Sequence, residues 1–192
     1  MTAEKLVLDD CLTTWDVEIA AHDVVAAPPE VTWRVARDLD LLGVHTPLLD
    51  AAMWVRGLPT RLSREPAVEL TSLSFGDTSG MAGWVGLGER MGRELAVGAV
   101  GKYWQPDIEW RDVPAEEFAA FSEPGWGKIA VAVTTIPYGA DRTLLIYVCR
   151  VATTDDASRR RFARYWWLIR PFVGHIMRAT VRAIARSAQR TA

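Results

Sequence analysis

The chain has 192 residues, 49% hydrophobic and 24% charged, with a net charge of −2. That composition suits one globular domain with a sizeable core and leaves little room for two. Two cysteines, Cys11 and Cys149, exclude a disulfide framework and a cysteine metal cluster. No apolar run approaches a membrane span or follows Met1 as a signal peptide would, so a cytoplasmic protein is expected.

In chain order, Trp15, Val17 and Ile19 alternate with Asp16 and Glu18, as in a half-buried strand reaching Val25. Ala27-Pro28-Pro29-Glu30 opens a helix whose Val31, Val35 and Leu39 face one way. A second short helix is expected after Pro47, ending near Gly57-Leu58-Pro59. Residues 60–82 give only weak strand signals and a loop at Gly76–Gly80. Trp84 to Glu89 reads as a strand, Met91-Gly92-Arg93 as a tight turn, and Glu94 to Trp104 as the next strand. Ile108 to Val113 is a further short strand. Pro114 to Phe121 is a helical turn with Phe118 and Phe121 inward. Strands Lys128–Ile136 and Thr143–Ala152 flank a hairpin turn at Gly139-Ala140-Asp141.

The rest, 153–190, reads as one long amphipathic helix. Thr154 is the expected cap, with Asp155 and Asp156 in the first turn. Phe162, Trp166, Ile169, Val173, Ile176, Thr180 and Ile184 keep to one stripe, while Arg160, Arg164, Arg178, Arg182 and Arg186 fall opposite. The stripe keeps its phase across Pro171, which predicts a bend and no domain break. A helix of this kind cannot fold alone, so the strands upstream must supply an apolar face. Residues 142–192 hold eleven Arg, two Asp and no Glu or Lys, a net of +9 that leaves −11 for the remainder. Such a segment is either a solvated helix face beside an acidic sheet or a dock for an acidic partner or anionic membrane surface.

This order of elements resembles the helix-grip fold of the START-like (SRPBCC) superfamily. The residues that carry the resemblance are 27–33 at the first strand–helix junction and Gly98 to Trp104. To these add Phe118, Phe121 and Pro124-Gly125, Arg150-Val151 with Thr154-Asp155, and Phe162 to Trp166 with Pro171. Together they look like a bacterial group of polyketide cyclase/dehydrase-like members. The resemblance implies an α+β domain spanning 1–192. In it a curved antiparallel sheet of six or seven strands, with two short helices after the first strand, wraps the C-terminal helix and leaves an apolar cavity. Many members carry a carboxylate two residues before the arginine of the last strand. Val148 stands there in this chain, so chemistry that leans on an acid is in doubt.

The implied function is binding of a small hydrophobic molecule, such as a lipid or polyketide. The alternatives are a cyclase or dehydratase that uses the same cavity, and an interaction module that uses the Arg-rich helix face. The expected cavity lining is Trp84, Trp104, Trp110, Tyr138, Trp166, Ile169, Val173, His45, Glu89 and Arg150. An enzyme would need at least two polar groups such as His45, Glu89 and Arg150 to converge. Trp167 lies about 100° around the helix from Trp166 and is expected at the surface or an interface. On strand Lys128–Ile136 a small face (Ala130, Ala132, Thr134) opposes a larger one (Ile129, Val131, Val133). The small face either admits the closing helix or leaves cavity volume.

No catalytic set is visible, and no His/Cys/Asp group has metal spacing, so neither metal nor cofactor is expected. Gly86 to Gly92 misses the dinucleotide fingerprint by one residue. The arginines lack groove-reading companions, so no nucleic acid is expected. No membrane-spanning segment is expected, and a homodimer is left open.

Overall fold

The computed structural model describes residues 5–39, 74–77 and 82–192. The short helix expected after Pro47 and most of 60–82 lie outside them. The described elements are α1 (Val7–Cys11), β1 (Val17–Val25), α2 (Pro29–Asp38), β2 (Trp84–Arg90), β3 (Glu94–Gly101), β4 (Trp110–Arg111), α3 (Ala115–Phe118), β5 (Gly127–Pro137), β6 (Thr143–Thr153) and α4 (Asp156–Thr191).

Six strands form one antiparallel sheet in the order β1-β6-β5-β3-β2, with β4 pairing the end of β3. The sheet is curved against the long C-terminal helix, which is the helix-grip arrangement. The Met91-Gly92-Arg93 turn joins β2 to β3, with Gly92 at φ +74. The β5–β6 hairpin turns through Gly139 at φ +72 and Asp141 at φ 52.

Strand alternation divides the sheet into two faces. Leu95, Val97, Val131, Val133, Leu145, Cys149 and Val151 point inward and share one apolar cluster with α2 and with Phe162, Met177, Val181 and Ile184 of α4. Ala96, Val100, Ala130 and Ala132 point outward and meet Leu8 and Leu12, Phe118 and Trp126. The small face of β5 is therefore turned away from α4. It makes room for the N-terminal segment and for Phe118, so neither role expected for it applies. Gly98 serves the same packing, since a Cβ there would sit 2.9 Å from the Phe118 ring.

Helix α1 gave no sequence signal of its own. It is held by Glu94, a fully buried carboxylate on the outer face. Glu94 accepts hydrogen bonds from the N–H groups of Val7 at 2.8 Å and Leu8 at 3.2 Å. These are the unpaired donors that any helix start exposes.

Helix α4 runs unbroken through Pro171. Its cap is Asp155 and not Thr154. The Asp155 carboxylate accepts from the N–H groups of Ala157 and Ser158, from the Ser158 hydroxyl and from the N–H of Gly125. Thr154 instead bonds Trp126, donating to its carbonyl and accepting from its N–H, each at 3.0 Å. The exchange follows from geometry, because a residue paired into the sheet edge cannot also cap the next helix. Near mid-helix the buried Gly174 lets α4 approach β1, where a Cβ would meet Ile19 at 3.3 Å.

Two stability predictions follow from these carboxylates. Glu94→Ala strands the buried N–H of Leu8 and the part-buried N–H of Val7 and is expected to cost about 2 kcal/mol, read as a lower urea midpoint together with earlier proteolysis before Leu12. Hydrogen bonds from the Ser158 N–H, the Gly125 N–H and the Ser158 hydroxyl hold the Asp155 carboxyl down at about 2, against an ordinary 3.8. A lowered folded value stabilises above the unfolded value and is lost as pH falls through the folded one. The stability difference between wild type and Asp155→Asn should be largest above pH ~4 and shrink toward pH ~2. A difference independent of pH in chemical denaturation would refute this.

Candidate functional site

Where α4 leaves the inner face of the sheet, the packing does not close. A cavity of about 260 Å³ remains between them. The sheet contributes Ile129, Cys149 and Val151, the segment after β3 contributes Tyr103 and Ile108, and α4 contributes Phe162, Tyr165, Trp166, Ile169 and Val173. Tyr165, Trp166, Ile169 and Val173 are only half-buried, so the helix side of the cavity reaches the surface.

Tyr103 shapes the sheet end of this space. Its ring lies over Gly101 and Gly127, which pair across β3 and β5. A Cβ on either glycine would come within 3.0 or 3.1 Å of that ring. The buried Tyr103 hydroxyl lies 2.7 Å from the Ala99 carbonyl and 2.9 Å from that of Gly127, its two acceptors. Burial holds the phenol well above its ordinary value, so it stays neutral. Trp104 and Trp110 stand edge-on to Tyr103 with ring centres at 6.5 and 5.8 Å, and Trp84 lies 6.5 Å beyond Trp110. Across the cavity Phe162 stacks on Trp166 at 5.9 Å. The Nε1 of Trp104 is buried with no hydrogen-bond partner among the described residues.

Trp166, Ile169 and Val173 thus line the cavity wall. Trp84, Trp104 and Trp110 form the aromatic layer that backs Tyr103 and do not themselves face the space. Tyr138 is exposed in the β5–β6 hairpin beside Arg142, 5.5 Å from its ring centre. Its strand has ended by then, so nothing directs it inward. Glu89 sits on edge strand β2, just past the bulge between Gly86 and Gly88, and pairs with Arg37 of α2 at 3.1 Å. His45 lies outside the described residues.

Arg150 also departs from expectation. It does share a face with Leu144, Ile146 and Val148, but that face is the outer one. There its guanidinium bonds Glu18 at 2.7 Å and Asp9 at 2.6 Å and covers the Trp15 ring at 3.8 Å. Its charge is satisfied by two acids, and it ties α1 to β1 with no part in the cavity.

The lining residues that sequence reasoning missed are Tyr103, Ile108, Ile129, Cys149, Val151, Phe162 and Tyr165. Cys149 and Val151 were legible as the opposite face from Arg150. Tyr103 carried no signal beyond the glycines beside it. Burial pushes the Cys149 thiol up to about 12, so it lines the wall as a small apolar group and not as a nucleophile.

A second hollow of about 230 Å³ lies on the outer face, between Cys11, Leu12, Phe121 and Lys128. Lys128 donates to the carbonyls of Phe118 at 3.3 Å and Ala119 at 2.9 Å, and burial lowers its pKa. It thereby caps the end of α3.

No protein-family model and no curated protein sequence matches the chain. Three solved structures align along most of it. The aromatase/cyclase Zhui from a Streptomyces species is 13% identical, with 91% of this chain and 94% of that one covered at a TM-score of 0.34. CalU16 from Micromonospora echinospora is 16% identical, covering 91% and 84% at 0.32. TTHA0849 from Thermus thermophilus is 14% identical, covering 92% and 99% at 0.33. Likeness this distant carries no argument about function, and the helix-grip description stands on the chain's own strand order and closing helix.

The cavity wall is tested by thiol chemistry. Cys149 should react with iodoacetamide at pH 8 on the order of 10³-fold more slowly than an ordinary thiol, and at the ordinary rate once the chain is unfolded in urea. Rapid alkylation of folded Cys149, mapped by peptide mass, would show that the wall is open to water.

Proposed function

We propose that this protein binds a small, mainly apolar molecule in the cavity between the inner sheet face and α4. The observation that carries the reading is the cavity itself: about 260 Å³ bounded almost wholly by carbon atoms. A dry apolar hole of about 150 Å³ accommodates benzene, and drug-sized pockets run from about 300 Å³ upward. The volume here suits one or two fused rings or a short acyl chain. The aromatic faces of Phe162 and Trp166 favour a flat guest.

Binding is favoured over turnover by what the wall lacks. The polar groups on it are the Tyr103 hydroxyl, the Cys149 thiol and the Tyr165 hydroxyl. The first faces two backbone carbonyls and the second stays protonated. Glu89 and Arg150, two of the three groups an acid–base mechanism could use, sit on separate surfaces in ion pairs of their own. A cyclase needs groups that move protons near the bound chain, and the described residues bring none together.

The test is titration of the purified protein with 1-naphthol and with decanoate, read by calorimetry and native mass spectrometry. Ile129→Phe and Val173→Phe put extra volume into opposite walls. Each should weaken uptake by about tenfold or more and cost about 1–3 kcal/mol of stability at most. Uptake by none of the proteins, or uptake unchanged in both folded variants, would overturn the reading.

A further inference from the structure

The outer side of α4 carries an apolar patch that the fold does not use. Trp167 is 74% exposed, Leu168 62% and Phe172 39%. A soluble domain normally turns side chains of this size inward, and three together on one stretch of helix mark an interaction surface. With Trp167 as the origin and about 100° per residue, Pro171 lies near 40°, Leu168 near 100° and Phe172 near 140°. Arg160 and Arg178 fall near 20°, Arg164 and Arg182 near 60°, and Arg161 near 120°. The apolar patch and the arginines therefore share one arc, and the buried stripe through Trp166, Val173 and Ile184 lies on the other side.

Among the described residues no acid pairs with the charge on this arc. Asp156 is the only acidic residue in α4, and it pairs with Arg159. Arg160, Arg161, Arg164, Arg178 and Arg182 are exposed and make no ion pair among the described residues. A proline also sits at the centre of the patch. Pro171 has no N–H to offer the carbonyl of Trp167, a loss that is tolerable where water or lipid headgroups can reach.

We propose that this face of α4 docks on an anionic lipid surface. Trp167, Leu168 and Phe172 would enter the headgroup boundary, and the arginines on either side would meet lipid phosphates. Exposed tryptophan among arginines, on a helix with its other face buried, is the composition of a helix lying in a membrane interface. The helix lies on the bilayer and does not cross it: no described helix is long and apolar enough to span one. A second copy of this chain fits poorly, since pairing the same faces would bring two arginine rows together. A soluble polyanion would satisfy the arginines but would leave the three apolar side chains in water.

The inference does not rest on the ligand reading, although Trp166, Ile169 and Val173 of the cavity wall lie on the same turns of α4. The test is flotation of the full chain with two kinds of vesicle. One is phosphatidylcholine alone, and the other is phosphatidylcholine with phosphatidylglycerol in equal parts. The wild type is expected to bind the anionic vesicles and not the neutral ones, and to release as salt rises. Trp167→Glu with Leu168→Glu, and separately Arg160→Glu with Arg164→Glu, should each weaken binding by about tenfold or more. All four positions are exposed, so circular dichroism and 1-naphthol uptake should stay as in the wild type. Three results would overturn the proposal: no binding to either vesicle, binding that both variants retain, or loss in the arginine variant alone with heparin competing equally. The last would assign the face to a soluble acidic partner.

Discussion

Everything in this structure depends on where α4 begins. A thirty-six-residue helix (Asp156–Thr191) has one apolar stripe, and a rotation of one residue would turn that stripe by about 100° away from the sheet. The start is fixed by a junction of short polar contacts. Asp155 caps the first turn and reaches Gly125, Thr154 pairs with Trp126, and Asp16 holds Thr153 and Arg159 at 2.6 and 2.7 Å. The junction thus joins β1, the approach to β5 and the end of β6. Once it is set, Phe162, Met177, Val181 and Ile184 fall on the inner face of the sheet without further instruction.

The cavity is the remainder of that packing. Beyond the junction the inner face offers Ile129, Cys149 and Val151, which are modest in volume. The aromatic groups large enough to fill the gap are committed elsewhere. Tyr103 is anchored by its hydroxyl over the two glycines, with Trp104 and Trp110 edge-on to it and Trp84 tilted against Trp110. Gly101 and Gly127 are thus the reason the ring lies flat at that end of the sheet. Their lack of a side chain draws Tyr103 down onto the backbone and leaves the volume above it open.

The architecture was legible because each element carries its own period. Alternation in β1, β5 and β6 and the three- and four-residue steps of α4 need no knowledge of the rest of the fold. Alternation, however, gives two faces without saying which is the inner one. Arg150 and the alanines of β5 were grouped with the right neighbours and assigned to the wrong side for this reason. The missing information was α1, a five-residue helix (Val7–Cys11) that has little propensity signal and exists because Glu94 is buried beneath it. With an N-terminal segment covering the outer face, small residues and a paired arginine belong there. Thr154 and Tyr138 failed for a related reason, since both stand at strand ends where periodicity stops constraining direction.

Charge placement separates the two sides of the molecule in a way composition alone did not. The acids Asp9, Glu18 and Asp16 are spent on Arg150 and Arg159, close to the ends of β1 and α1. Farther along α4, Arg160, Arg161, Arg164 and Arg182 are exposed and make no ion pair among the described residues. They form the solvated helix face expected from a −11 body and a +9 tail. That face is interrupted by the exposed Trp167, Leu168 and Phe172. The buried stripe gains its stability from the sheet, and among the described residues Trp167 and Leu168 on the outer side stay exposed. The exposed Trp167 there is what the proposed lipid contact accounts for.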